Sequence, residues 1–189
     1  NGLIHIGERR ITAGRAGEHA SVELAQALKD YGFQVGRMKT GTTPRLDARS
    51  IDFSKLERQD SDPDFVPFSM RTKEMNQKLV PCYITHTNEK THEVIRSHMH
   101  LSPLYSGIIT GIGPRYCPSI EDKVVKFPER ISHQIFIEPE GYQTHEIYPN
   151  GISTSLPIHV QEAFLKTIAG FENVIIMKPG YAIEYDYVQ

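Results

Sequence analysis

The first 38 residues follow an order that few folds accept. An apolar strand at residues 3–6 leads into a loop with two glycines, Gly14 and Gly17. A helical stretch at 21–31 comes next, then a stop at Gly32 and a second strand at 33–38. Ser21 suits the N-cap of that helix, Val22, Leu24, Ala25, Leu28 and Tyr31 suit its buried face, and Gly32 suits its end. Strand, loop, helix, strand is the order of an α/β layer, so the chain is expected to be α/β.

The composition turns polar between residues 41 and 81. A turn is expected at 41–45, an edge strand at 51–53, an acidic turn cluster at 60–64 and a strand at 80–85. Asn88 suits the cap of a helix at 89–100, with Val94 and Ile95 as its buried residues. This polar stretch reads as a smaller lobe inserted into the α/β framework. Apolar patterning returns after Gly107. A strand is expected at 133–138 with Ile135 and Ile137 on one face, and a tight turn at 148–151. A helix is expected from Pro157 to Ala169, burying Val160, Phe164, Leu165 and Ile168 and stopped by Gly170, then a buried strand at 173–177. A turn at Pro179 and Gly180 leads to a last strand at 181–187. Asn1 and Gly2 read as a hairpin turn already in progress, and the last strand runs to the end. The sequence is therefore expected to be a piece of a longer protein.

The 189 residues carry a net charge of −2, so there is no global field to attract nucleic acid or membrane, and a polyanion would need a local basic patch. The two cysteines, Cys82 and Cys117, belong to no C-x-x-C pair, which argues against a zinc site. Residues 1–7 lack the basic start and apolar core of a signal peptide, and no apolar run nears the roughly 18 residues needed to cross a bilayer. A reducing cytoplasm with free thiols is the expected setting.

Four constellations bear chemistry. Cys117 lies in a Gly- and Pro-rich stretch, residues 111–123, flanked by Arg115 and Lys123, with Lys126 and Arg130 beyond. Positive charge stabilises the thiolate, the reactive form of cysteine. Arg115 and Lys123 suit a phosphate or other anion; Cys117 also reads as a space-filling thiol, and Lys123 as a solvated lysine. Gly14, Arg15 and Gly17 before a helix suit an anion at exposed amides, or an ordinary loop. Arg37, Lys39, Arg45 and Arg49 form a cationic string that suits phosphates, or a solvated face. Residues 148–156 form a polar loop rich in hydrogen-bonding groups, suited to a ligand or to turn chemistry. Several histidines are present, but nothing selects one as the partner of Cys117. There is no nucleoside-triphosphate P-loop.

Residues 113–127 (GPRYCPSIEDKVVKF) resemble the signature of the GidA/MnmG family of flavin enzymes that modify the wobble uridine of tRNA. The likeness extends in order along the whole chain: residues 13–17 (AGRAG), 39–45 (KTGTTPR), 47–49, 51–53, 81–91 (PCYITHTNEKT), 138–141, 148–157 (YPNGISTSLP) and 179–186 (PGYAIEYD). The departures are Ala13 where the family has Gly and Thr43 where it has the first Pro of its PPR.

The resemblance implies a central fragment of a glutathione-reductase-like FAD/NAD(P)-binding flavoprotein. Residues 1–43 and 107–189 would belong to the FAD-binding lobe and 44–106 to an inserted smaller α+β lobe. It implies an enzyme that adds a carboxymethylaminomethyl or aminomethyl group to C5 of the wobble uridine. FAD would be its cofactor, with NADH and methylenetetrahydrofolate as further reactants, and glycine or ammonium would supply the amine. The partners it implies are tRNA, a GTPase of the MnmE type and a second copy of the full-length protein, with no membrane. By position, Cys117 matches a functionally important cysteine, as nucleophile or proton-transfer group, while Gly14, Arg15 and Ser21 match flavin contacts. The NAD-associated segment maps to Gly113, Pro114, Arg115, Tyr116, Pro118, Ser119, Ile120, Glu121, Asp122, Lys123, Val124, Val125, Lys126 and Phe127. Arg115 and Lys123 are also candidates for tRNA contact. A non-catalytic module that binds tRNA or a partner is the alternative, and a folate-dependent flavoprotein that methylates RNA is a more distant one.

Overall fold

A computed structural model describes residues 1–64, 66–111, 113 and 118–189. Its strands and helices are β1 (Gly2–Ile6), β2 (Arg9–Ala13), α1 (Val22–Asp30), β3 (Val35–Thr42), β4 (Arg45–Asp47), β5 (Glu57–Gln59), β6 (Cys82–His86), α2 (Glu89–Ser97), α3 (Ile120–Lys126), β7 (Gln134–Pro139), β8 (Glu146–Asn150), α4 (Ile158–Leu165), β9 (Ile176–Lys178) and β10 (Tyr181–Val188). They form two sheets, one ordered β2-β1-β10-β3 and the other β5-β6-β7-β8-β4-β9. Every pairing is antiparallel. The strands after residue 107 divide between the sheets: β7, β8 and β9 join the six-stranded one, and β10 enters the middle of the other.

The main core lies on the six-stranded sheet. Ile135 and Ile137 of β7, Leu46 of β4 and Ile147 of β8 pack against Ile95 of α2, Ile120 and Val124 of α3, and Val160, Phe164 and Leu165 of α4. The expected faces of β7 and α4 are the buried ones. Asn88 caps α2 as expected: its side chain accepts from the Thr91 amide at 3.0 Å, and its own amide donates to the Thr91 hydroxyl at 3.2 Å. α4 ends at Leu165, short of the expected Ala169, and Gly170 lies in the turns beyond it at φ +84°, where a Cβ would lie 2.6 Å from Leu56 Cδ2, so only glycine fits.

Several local expectations are corrected. Gly2 lies within β1, and the hairpin turn is at Gly7, whose φ is +55°. Residues 148–150 are strand, and Gly151 at φ +112° ends it. Residues 51–53 do not form an edge strand; a one-turn helix at Ala48–Ser50 precedes them and a second, Phe53–Lys55, begins within them, each started by an Asp side chain that accepts a backbone N–H. Ile175 and Met177 are exposed because β9 is an edge strand. Of the face expected for α1 only Ala25 is buried, while Val22 is 51%, Leu24 62% and Tyr31 84% exposed. Among the described residues no second layer closes over that side of the helix. Ser21 stands at its N-cap, but its side chain makes no cap bond.

Under α2 a histidine pair sets an acid limit on stability. His92 Nε2 lies 2.8 Å from Thr87 Oγ1, which also accepts the His133 amide at 2.8 Å, and the two rings are 5.2 Å apart. Burial pushes both imidazoles below the ordinary value of 6.5. Arg96 adds to this at His92, His92, Lys123 and Arg130 add at His133, and Glu89 and Glu129 oppose. The unfolded chain therefore binds the protons first. The pair's contribution is intact above pH 6.5 and is lost as the pH falls from there through the lowered folded values. The urea midpoint should drop between about pH 7.5 and 5.5 by more in the wild type than in His92→Gln/His133→Gln. Equal drops would refute the assignment.

Candidate functional site

Four of the sequence segments quoted above meet where the two sheets join. The Ile120 amide donates to Ser153 O at 2.8 Å, the Thr154 amide to Thr42 O at 3.4 Å and the Gly7 amide to Ser155 O at 2.7 Å. Thr43 Oγ1 donates to Pro149 O at 2.8 Å. The side chain of Gln161, fully buried on α4, donates to Leu156 O at 2.7 Å and to Gly180 O at 2.9 Å, and accepts the Gly180 amide at 2.8 Å. A Cβ at Gly180 would lie 3.0 Å from Pro44, Thr154 and Thr42 atoms, which explains a glycine there. Residues 39–45, 118–123, 151–157 and 179–184 thus share one hydrogen-bonded junction.

Glu121 is the charged centre of this junction. It is fully buried, and its Oε1 accepts from Ser155 N at 2.9 Å, Thr154 Oγ1 at 3.1 Å and Ser155 Oγ at 3.2 Å. Among the described residues its Oε2 is buried without a partner. Ser119 starts α3 with a capping box: its Oγ accepts the Asp122 amide at 3.2 Å, and its amide reaches Asp122 Oδ2 at 3.4 Å. Asp122 also accepts from Tyr105 OH at 3.1 Å and pairs with Lys126 at 3.0 Å. Burial pushes the Asp122 carboxyl up, but Lys126, Lys39 and the Tyr105 hydroxyl outweigh it and hold it below the usual carboxylate range. Burial, with Asp122 beside it, raises Tyr105 in turn.

A cleft of about 680 Å³ and one of about 850 Å³ lie along the exposed 61–80 stretch. A third, of about 660 Å³, opens between the small sheet and the rim of the large one. Its floor is apolar, with Ile4, Ile6 and Ile11, and its rim carries Arg15, Arg45, Lys178 and Tyr181. That size suits a cofactor-sized ligand, for which sites run about 300–1,000 Å³. Three of the cleft's cations are already matched, Arg15 to Glu18, Arg45 to Glu140, and Lys178 to Glu146 at 2.8 Å, and Arg9 lines it as well. The Arg45 guanidinium also stacks 4.2 Å over the Tyr148 ring.

The structure separates some expected site residues and joins others. Gly14 shapes the loop that carries Arg15 to the third cleft, while Ser21 lines a different pocket of about 170 Å³. Gly113 rests against Lys39. Pro118, Ser119, Glu121, Asp122 and Lys123 sit at the junction, where Lys123 Nζ donates to Gly151 O at 2.7 Å. Ile120 and Val124 face the core, whereas Val125, Lys126 and Phe127 face outward. Pro114, Arg115, Tyr116 and Cys117 lie outside the described residues. The cationic string is neither a free phosphate row nor simply a solvated face. Arg37 pairs with Asp186, Arg45 with Glu140 and Arg49 with Asp47, and Lys39 is buried. Arg49 holds the Asp47 carboxyl down to about 2. Sequence reading missed Gln161 and the buried role of Lys39. For Gln161 a signal existed, a lone polar residue on a helix face otherwise made of Val160, Phe164 and Leu165. Among the described residues no cluster suits a metal ion, and no helix is long and apolar enough to cross a membrane.

Two antiparallel sheets, joined where four loops interlock beside a cofactor-sized cleft, make this a mixed α/β segment. The chain belongs to the glucose-inhibited division protein A family, whose profile matches residues 1–189. It is 61% identical over 188 residues to the tRNA uridine 5-carboxymethylaminomethyl modification enzyme MnmG of Thermodesulfovibrio yellowstonii, covering all of this chain and 30% of that protein. It is 59% identical to the protein of the same name from Geobacter metallireducens, covering 99% of this chain and 30% of that protein. Two crystal forms of Aquifex aeolicus GidA have the same fold, with TM-scores of 0.87 and 0.88 at 47% and 51% identity. They cover all of this chain and 30% and 32% of theirs. The chain thus spans about 30% of the length of the relatives it matches.

Proposed function

We propose that this chain is the central part of an FAD-dependent enzyme that adds a carboxymethylaminomethyl or aminomethyl group to C5 of the wobble uridine of tRNA. In the whole protein, residues 1–43 and 107–189 would contribute to the flavin-binding lobe and 44–106 to an inserted lobe, with the six-stranded sheet built across that second boundary. NADH and methylenetetrahydrofolate are the proposed co-substrates. The proposed partners are tRNA, a GTPase of the MnmE type and a second copy of the protein, in the cytoplasm. What carries this reading is the 58–61% identity, along essentially the whole chain, to proteins named for that modification.

The residues present suit a flavin in part. The third cleft has an apolar floor and the size for a ring system, and the Arg15 loop stands at its rim, but Ser21 lies outside it. When bound, a flavin supplies a two-electron carrier. Around it this chain would contribute the glycine loop at 14–17, the junction centred on Glu121 and the thiol of Cys117. The isolated chain is expected to purify colourless, because it spans only about 30% of the length of the relatives it matches; a yellow preparation with a flavin spectrum would contradict this. The function itself is tested on tRNA from cells deleted for the full-length gene. Digests should lack the C5-modified wobble uridine and regain it when the full-length gene is returned. A normal digest from the deletion strain would refute the reading.

A further inference from the structure

Three neighbouring side chains of the third cleft have hydrogen-bonding capacity that the fold leaves unused. Tyr181, the first residue of β10, stands directly opposite Thr42, the last of β3, and Thr42 Oγ1 accepts from Arg45 Nη1 at 2.9 Å. All three line the cleft. Arg45 is held from several sides. Its Nε donates to Glu140, its Nη1 also donates to Thr43 O at 2.7 Å, and its guanidinium stacks on Tyr148. Only its Nη2 is left over, without a partner among the described residues. The Tyr181 hydroxyl accepts the Ala16 amide at 3.3 Å, and its own proton has no acceptor among the described residues. Thr42 Oγ1 keeps a second lone pair after accepting from Arg45. In the order Arg45, Thr42, Tyr181 the row therefore offers a donor, an acceptor and a donor.

The surroundings narrow what the row can bind. Arg45 and Lys178 face Glu140 and Glu146, so the local charge is balanced and a neutral polar edge suits the row better than an anion. Arg9, the remaining cation of the cleft, stands apart at the start of β2. Ile4 and Ile11, opposite each other in the β1–β2 register, join Ile6 in an apolar floor that suits a planar ring. A guanidinium already fixed by its neighbours loses little freedom on binding, so its unused donors count for more than those of a loose surface arginine.

The geometry points to Arg45, Thr42 and Tyr181 as binding residues for a cyclic imide, the O=C–NH–C=O edge of a pyrimidinedione ring. That edge runs acceptor, donor, acceptor and complements the row. Two rings of the proposed reaction carry it, the uracil of the wobble nucleotide and the pyrimidine ring of the flavin, so the assignment rests on that reading. Cytosine, with an amino group in place of one carbonyl and no proton on the ring nitrogen between, does not match.

The full-length protein and two pairs of probes test this. The first pair is FAD and 3-methyl-FAD, which lacks the imide N–H, each added to apoprotein and followed by flavin fluorescence. The second is a tRNA anticodon stem-loop with uridine at the wobble position and the same stem-loop with cytidine there. If the flavin fills the site, the wild type should bind FAD about tenfold more tightly than 3-methyl-FAD, and Tyr181→Phe and Arg45→Lys should each cut that ratio below about threefold. If the uridine fills it, the same variants should cut an about tenfold preference for uridine over cytidine below about threefold. The ratio is the readout because a residue that only supports the fold changes both members of a pair alike. Should Arg45→Lys not fold, Tyr181→Phe decides alone, since it removes one hydroxyl from a half-buried ring. Both ratios within about twofold of wild type in folded Tyr181→Phe would overturn the proposal. A wild type that binds FAD and the stem-loop without either preference overturns it too and leaves the proposed function standing. A wild type that binds neither FAD nor the stem-loop refutes that function, and the imide site with it.

Discussion

Cys117→Ser, introduced into the full-length protein, is expected to lower wobble-uridine modification by about a hundredfold or more, with flavin content unchanged. Carbon 5 of uracil is a poor nucleophile until a group adds at C6. A thiolate adding there creates an enolate with its density on C5. A thiol reaches its anion near neutral pH far more readily than a hydroxyl, and Arg115 and Lys123 flank Cys117 in the sequence. Serine keeps the size and loses the nucleophile. If Cys117 instead passes protons, the same substitution removes that function too, because a serine hydroxyl does not titrate in the working range. The measurement is the modified nucleoside in bulk tRNA from cells carrying only the variant. Wild-type levels would shift the reading to a non-catalytic module that binds tRNA or a partner.

Glu121→Ala is expected to cost about 3 kcal/mol of stability, whereas Glu121→Gln should cost less than about 1 kcal/mol. Alanine strands the Ser155 amide and the hydroxyls of Thr154 and Ser155, all of which donate to Glu121 Oε1 inside the protein. A buried donor without an acceptor loses about 1–3 kcal/mol. Two of these three are hydroxyls that can rotate to other partners, so the total stays nearer the lower end. Glutamine keeps the carbonyl acceptor and places its NH₂ at Oε2, which has no partner among the described residues. Urea unfolding of the two variants separates the cases. An alanine variant within about 0.5 kcal/mol of wild type would mean that the donors find other acceptors. A glutamine variant as weak as alanine would mean that the negative charge itself holds the junction.

Features set by neighbours in the chain were legible in the sequence. The Asn88 cap, the inward alternation of Ile135 and Ile137, and the α4 face of Val160, Phe164 and Leu165 stand as read, because caps and periodic faces arise within one turn or a few strand residues; Ile168 is buried as expected but lies beyond the end of the helix. Where burial depended on a distant partner the reading failed. Val22, Leu24 and Tyr31 form an apolar helix face that is exposed among the described residues, and Ile175 and Met177 lie on a sheet edge. The stretch at 148–150 reads as a turn because Pro, Asn and Gly follow one another, yet pairing with β7 holds it extended.

The family likeness lies wholly in the order of the residues, since each matched segment is a local string. The local string also sets the helix starts and stops. That β10, last in the sequence, lies between β1 and β3 is decided by pairing across more than 130 positions of chain, which no local propensity encodes. The same holds for Lys39, which the sequence presents as one cation in a string and the fold buries opposite Glu184, and for Glu121, which becomes an acceptor only when residues 154 and 155 arrive beside it. Desolvation depends on every atom nearby, and those atoms come from segments far apart in the chain.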